Sequence, residues 1–293
     1  MGPHTNALRP KNVRQGALLT LLAATSFGLT TTAARLAYQG GASTEAVILL
    51  RLFVTVPVFF LVALFLRQAL AVARRHWGRT LIAAIGMLGT SLALLSAVHY
   101  IDVGQAVLVL YTWPLVLVAV TSLRDRKLPP AKVLLGFFAA FGGLVLALGL
   151  SEMPINPLGL GLAFLAGVSN VAVFIASTPV LEETDSVPFA AWANCLGIPI
   201  MILLMPFLGE HALPQGTVGW SGFVGVSLLY LIAMMALFGA LQKGGEQQTA
   251  LLFNLEPLIA IGAGWALLGE TMTALQLLGA VIVVVSLIWA RPR

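Results

Sequence analysis

The chain alternates between long apolar stretches and short polar interruptions. Ten stretches are long enough to cross a bilayer, near 16–36, 44–66, 79–99, 103–122, 131–150, 157–178, 187–208, 219–240, 247–268 and 273–290. A spanning helix needs about 20 mostly apolar residues. The interruptions carry charge or turn residues, among them QGGAST, RDRKLPPAK, SEMPINP and EETDSVP. The pattern predicts an all-α integral membrane protein of ten transmembrane helices, with tight hairpins near 101 and 270.

Composition agrees. Of 293 residues, 59% are hydrophobic and 9% charged, and the mean hydropathy is +0.97. Soluble domains carry roughly 25% charged residues, so too little charge is present to cover a water-facing surface. The basic N-terminus leads into a full-length apolar run, which predicts a retained first helix rather than a cleaved signal.

The positions of the basic residues explain the net charge of +5 without nucleic acid. With the N-terminus inside, 14 of the 16 Lys and Arg residues fall in inner segments. Arg35 and Arg51 are the other two. Positive charge collects on the cytoplasmic side, so both termini are expected there, in the cytoplasmic (inner) membrane. The single cysteine, Cys195, reads as a small core residue.

A shift of 143 residues superposes the chain on itself without a gap. Gly16 falls on Gly159, Ser26 on Ser169, Trp77 on Trp220, Gln105 on Gln248, Pro114 on Pro257 and Gly136 on Gly279. The expected organisation is a tail over 1–15, a first repeat over 16–150 and a second over 157–290. Each repeat holds five spans. Five is odd, so the halves must enter the membrane from opposite sides. Inverted repeats of this kind place a substrate site at the midplane and alternate its access by rocking.

Few polar groups remain inside the spans. Glu256, in LFNLEPLIA over 252–260, is the most exceptional. A carboxylate at that depth costs at least ~2.5–3.5 kcal/mol on insertion scales. It should face a cavity or a partner. A substrate amine, a coupling proton, and a structural pair with Arg51 or a backbone site are its open roles. Pro257 follows directly, and Pro114 is its repeat mate. Each removes a hydrogen bond from the carbonyl four residues back, Phe253 and Leu110. Kinks in helices 4 and 9 are expected there, opening a space between the halves.

The residues before the two prolines differ. YTWP (111–114) offers Tyr111 and Trp113, whereas NLEP (254–257) offers Asn254 and Glu256. The repeat would set an aromatic wall across from a polar one. Such a pair of walls suits an aromatic zwitterion. Other candidate contacts are Tyr230 with Met234 one turn on, Asn170, Ser26, and His99 with Tyr100 at the outer end of span 3. Each has a plainer alternative, as core packing, a hydroxyl returned to the preceding helical turn, or an interfacial aromatic pair. Arg51 has two readings, a bidentate carboxylate ligand or a structural arginine paired with Glu45 or helix carbonyls.

Ten spans, the five-plus-five repeat and PLIAIGAGWALLGETMTALQLLGA (257–280) resemble the EamA-type transporters of the drug/metabolite transporter superfamily. The first-half counterpart is PLVLVAVTSLRDRKLPPAKVLLGF (114–137), and the arginine of ILLRLF (48–53) also resembles the family's second helix. Within the family the chain is most similar to the YddG-type aromatic amino acid exporters. The resemblance implies export of small organic solutes, aromatic or neutral amino acids first, with a drug or other metabolite as the alternative cargo. One departure is Arg126-Lys127, standing where the second half has Gly269-Glu270. Glu270 is expected to cap the last hairpin.

No Walker sequence, HExxH or GxSxG occurs, so neither an ATPase nor an intramembrane hydrolase is expected. No cofactor and no metal are called for. The expected partners are a small-molecule substrate and membrane lipid, without nucleic acid, and a monomer suffices.

Overall fold

The computed structural model describes residues 12–148, 156–209, 211–268 and 272–290. Twelve α-helices fill these segments. The first half holds α1 (Val13–Gln39), α2 (Thr44–Phe65), α3 (Trp77–Ala97), α4 (Val103–Leu110), α5 (Trp113–Asp125) and α6 (Ala131–Leu148). The second holds α7 (Pro157–Leu181), α8 (Ser186–Leu204), α9 (Gly216–Gly244), α10 (Glu246–Phe253), α11 (Glu256–Leu268) and α12 (Ala274–Ala290). Short 3₁₀ turns precede α3 at Arg74–His76 and follow α8 at Met205–Phe207.

Local chemistry sets the helix starts. In a membrane the free N–H groups of a first turn need partners. Asn12 accepts from Gln15 N at 3.0 Å, Ser43 from Ala46 N at 3.2 Å and Asp102 from Gly104 N at 2.9 Å. Asn156 accepts from Leu158 N at 2.9 Å and Gly159 N at 3.3 Å. Gly245, at φ +81°, makes the sharp turn between α9 and α10 that a side chain would resist.

Nine helical stretches among the described residues are long and apolar enough to cross a membrane. The tenth, Ala274–Ala290, is apolar but only 17 residues long. The expected kinks are complete breaks. The stretch Val103–Asp125 divides into α4 and α5 at Tyr111–Thr112, and its counterpart divides into α10 and α11 at Asn254–Leu255. Proline in the first turn of a helix costs nothing, so each chain stops and restarts rather than bending. Glu270 lies outside the described residues.

Large apolar side chains face outward along the bundle. Phe65 is 86% exposed, Phe207 83% and Leu203 72%. A continuous apolar exterior of this kind has lipid as its solvent. The chain is an integral membrane protein.

The principal helix pairs are α1 with α9, α3 with α7, α6 with α12 and α2 with α8. The 143-residue shift carries α1 onto α7 and α3 onto α9. The pairs α1–α9 and α3–α7 therefore exchange under it, while α2–α8 and α6–α12 map onto themselves. Every principal contact joins one half to the other.

At one end of the bundle, ion pairs and hydrogen bonds also tie the halves. Asn12 N donates to Lys243 O at 3.0 Å, and Gln248 Nε2 to Val13 O at 2.7 Å. Arg124 at the end of α5 pairs with Glu246 at the start of α10, at 3.3 Å. Glu183, between α7 and α8, accepts from Arg75 and, at 3.0 Å, from His76. Those two bonds, Arg75's foremost, hold the Glu183 carboxyl below the usual carboxylate range. At the opposite end Ser43 N donates to Ala212 O at 2.9 Å, and Gln215 N to Gly40 O at 2.8 Å.

Candidate functional site: a cavity at the two helix breaks

The two breaks face a common cavity of about 230 Å³. That is below the roughly 300–1,000 Å³ of drug-sized ligand pockets, so it suits a small solute. Tyr111 and Trp113 from the first break and Phe253 and Glu256 from the second line it. Arg51, Asn170, Phe174, Tyr230 and Phe27 add to the wall, and Met87, Thr90, Ser91 and Leu94 close it along α3.

Its floor is aromatic. Trp113 packs on Phe174 with ring centroids 4.6 Å apart and on Phe253 at 6.2 Å. Phe27 meets Phe253 at 5.8 Å and Tyr230 at 6.1 Å, both edge to face. From this floor α5 runs toward Arg124, and α10 runs up to it from Glu246. The space along them is filled by the fully buried Leu117, Phe238, Leu241 and Leu251. The cavity is thus closed toward the end where Arg124 meets Glu246. Its wall climbs the other way, to Arg51, two turns from the start of α2, and to Leu94, one turn from the end of α3.

A glycine on a neighbouring helix allows each break to come close. A Cβ on Gly167 of α7 would stand 2.9 Å from the Leu110 carbonyl oxygen, the group that Pro114 leaves without a helical donor. A Cβ on Gly28 of α1 would stand 2.9 Å from the Glu256 carbonyl oxygen. Both distances are too short for a real side chain, so α7 and α1 approach the broken backbone only as glycine.

The two charges in the cavity are separate. Among the described residues no ion pair joins Arg51 to Glu256 or to Glu45. The Arg51 guanidinium lies over the Tyr230 ring, with Cζ 3.7 Å from the centroid, and its buried Nε has no hydrogen-bond partner. Tyr230 is fixed in turn. Its hydroxyl donates to Asn194 Oδ1 at 2.7 Å, and Asn194 Nδ2 donates to Ala190 O at 2.9 Å. Tyr111 and Glu256 line the cavity from the two breaks.

Six of the ten candidate contacts meet in this cavity: Glu256, Trp113, Tyr111, Tyr230, Met234 and Asn170. The other four stand elsewhere. Asn254 is buried at the break, where its Nδ2 donates back to Ala250 O at 3.1 Å and Leu251 O at 2.9 Å. An asparagine beside an interrupted helix turns to the freed carbonyls, so it adds no polar wall. Ser26 is buried in α1, and its carbonyl accepts from Thr30 Oγ1 at 2.7 Å. His99 is exposed, with Nδ1 bonded to Leu95 O at 3.0 Å, and Tyr100 is 45% exposed beside it. Both lie beyond the end of α3. The paired reading of Arg51, with Glu45 or Glu256, is corrected to a stack on Tyr230. Met87, Thr90, Ser91, Leu94, Phe27, Phe174 and Phe253 were not anticipated. The α3 residues carry no sequence signal beyond an apolar run with two hydroxyls.

A membrane bundle with interrupted helices around a partly polar central cavity defines a solute carrier in class. Comparison with known proteins agrees. The sequence model of the EamA-like transporter family matches residues 14–149 and again residues 157–291. The chain belongs to this family, and is a transporter by membership. It is 23% identical to the uncharacterized transporter YcbK of Bacillus subtilis, over 90% of this chain and 88% of that protein. The uncharacterized transporter YoaV of the same organism is 22% identical over 80% of this chain and 82% of its own length. One solved crystal structure shares the fold, with a TM-score of 0.81 at 17% identity, over 94% of this chain and 96% of the other.

Proposed function

We propose that this transporter exports aromatic or neutral amino acids from the cytoplasm, by alternating access of the cavity at the two helix breaks. The observation that carries the reading is the meeting of Trp113 and Glu256. They are repeat mates, 143 residues apart, and they line one cavity from opposite breaks. A ring finds Trp113, Phe174 and Phe253 there. An amine finds the Glu256 carboxylate. An intramembrane carboxylate with no arginine partner is a functional group by default.

The proposed topology is two inverted repeats with both termini cytoplasmic. The odd number of spans per repeat and the exchange of α1–α9 with α3–α7 support it. With the Arg124–Glu246 end cytoplasmic, the inner side is shut and the cavity belongs to the outward-facing half of the cycle. Rocking of one repeat against the other would part these ties and expose the floor to the cytoplasm.

The competing cargo is a lipophilic amine, drug or metabolite, favoured by the apolar flank of Met87, Leu94, Met234 and Leu237. Counterflow in proteoliposomes of the purified protein, with labelled tryptophan, phenylalanine and leucine, tests the proposal. Saturable exchange that unlabelled aromatic amino acids block is the expected result. No exchange above empty liposomes, from protein shown to be folded, removes the amino acid assignment.

A further inference from the structure

We infer that Arg51 is the carboxylate-binding residue of the cavity, so that the cargo must carry a free carboxylate as well as an amine. The inference rests on the amino acid reading and narrows it to zwitterions. Three observations carry it.

First, Arg51 is a charged side chain of the membrane interior that pairs with no carboxylate among the described residues. Neither Glu45 on its own helix nor Glu256 across the cavity pairs with it. Arginine keeps its charge in proteins. It stays charged and in want of an anion.

Second, the contact that holds it is with a ring and not with an acceptor. The guanidinium Cζ lies 3.7 Å from the centre of the Tyr230 ring, a cation–π contact. The guanidinium is planar, and its fork of N–H groups matches the two oxygens of a carboxylate. The buried Nε, which has no acceptor among the described residues, is one prong of the fork. Asn194 anchors the Tyr230 hydroxyl at 2.7 Å, so the stack is positioned before any cargo arrives.

Third, Arg51 and Glu256 line the same small cavity, which Tyr230 and Tyr111 also line. Opposite charges that share a cavity without meeting are bridged by a molecule with an ammonium at one end and a carboxylate at the other. A lipophilic amine would satisfy Glu256 and leave Arg51 as it is. Asn170, Thr90 and Ser91, the other polar groups on the wall, are neutral and serve either cargo.

Isothermal titration of the purified protein in detergent, with phenylalanine, phenylalanine amide, phenethylamine and 3-phenylpropionate, tests this. The four ligands share a ring and differ only in their charged ends. The expected result is phenylalanine bound about 10- to 100-fold more tightly than its amide, the range for one charge-assisted bidentate contact. In Arg51→Gln the two should bind within about twofold of each other, with Arg51→Lys between the extremes. Wild-type protein that binds amide and acid alike overturns the assignment without recourse to any variant. So does a Gln variant that keeps the preference, and in both cases the amino acid reading stands. Binding of 3-phenylpropionate without phenylalanine, lost in Arg51→Gln, keeps the role of Arg51 and removes the amino acid reading. Binding of phenethylamine alone, or of none of the four, overturns both.

Discussion

The two helix breaks share a backbone and differ in chemistry. Both interrupt a membrane helix two residues before a proline, and both have a glycine on a neighbouring helix. At the first break the residue before proline is Trp113, 1% exposed and packed into the floor. At the second it is Glu256, only partly buried and facing the cavity. Three residues before proline, Tyr111 lines the cavity, whereas Asn254 bonds its own helix. The same break occurs twice, and the side chains around it differ. On the proposed reading each copy meets a different end of the cargo.

The strongest way to break the comparison is at Glu256. Glu256→Gln should lower tryptophan exchange about 10- to 100-fold, the range for losing a hydrogen bond to a charged group. Elution as a folded monodisperse species would separate this from collapse. Exchange near the wild-type level would leave the second break without the role given to it.

Trp113→Ala tests the other side. Aromatic contacts are worth about 0.5–1.5 kcal/mol beyond area, so tryptophan and phenylalanine exchange should fall about two- to tenfold further than leucine exchange. Equal losses for all three would mean that the ring serves packing alone.

The glycines test the shared frame. Gly167→Ala and Gly28→Ala each drive a methyl to about 2.9 Å from a carbonyl oxygen of a break. Overpacking costs typically about 1–3 kcal/mol, and the apparent Tm in detergent should fall for both. Gly142→Ala, with nothing within 4 Å of its Cβ, is the control and should leave Tm unchanged.

The smallest effects should come from the residues three before proline, and they should differ in kind. Asn254→Ala loses two bonds to its own helix and should cost about 1 kcal/mol of stability, with the affinity for cargo kept. Tyr111→Phe removes a hydroxyl from the cavity wall and should shift exchange a few-fold with little change in Tm.

The frame was legible in the sequence because it is written in composition. Apolar runs give the spans, and prolines in register give the breaks. Trp113 and Glu256 were legible too, since the repeat places them opposite one another. What stayed hidden depends on helix rotation and crossing. Arg51 was recognisable as an unusual residue, but its stack on Tyr230 of α9 joins helices nearly 180 residues apart in the chain. Thr90 and Ser91 sit in a run whose periodicity does not say which face meets the cavity. Asn254 misled for a local reason. A polar residue beside a broken helix has free carbonyls within reach, and it takes them before it takes a cargo.

One measurement bears most directly on the central claim, that the cavity between the breaks is where cargo binds. Ser91 lines it, and Cys195 is the only cysteine of the chain. In a Cys195→Ser background, Ser91→Cys places one thiol in the wall, for reaction with a charged methanethiosulfonate in detergent. The account predicts that saturating tryptophan slows this labelling several-fold, while a thiol at exposed Leu203 on the lipid face is unaffected. Labelling of the Ser91→Cys thiol at an unchanged rate, in protein that still exchanges tryptophan after reconstitution, would contradict it.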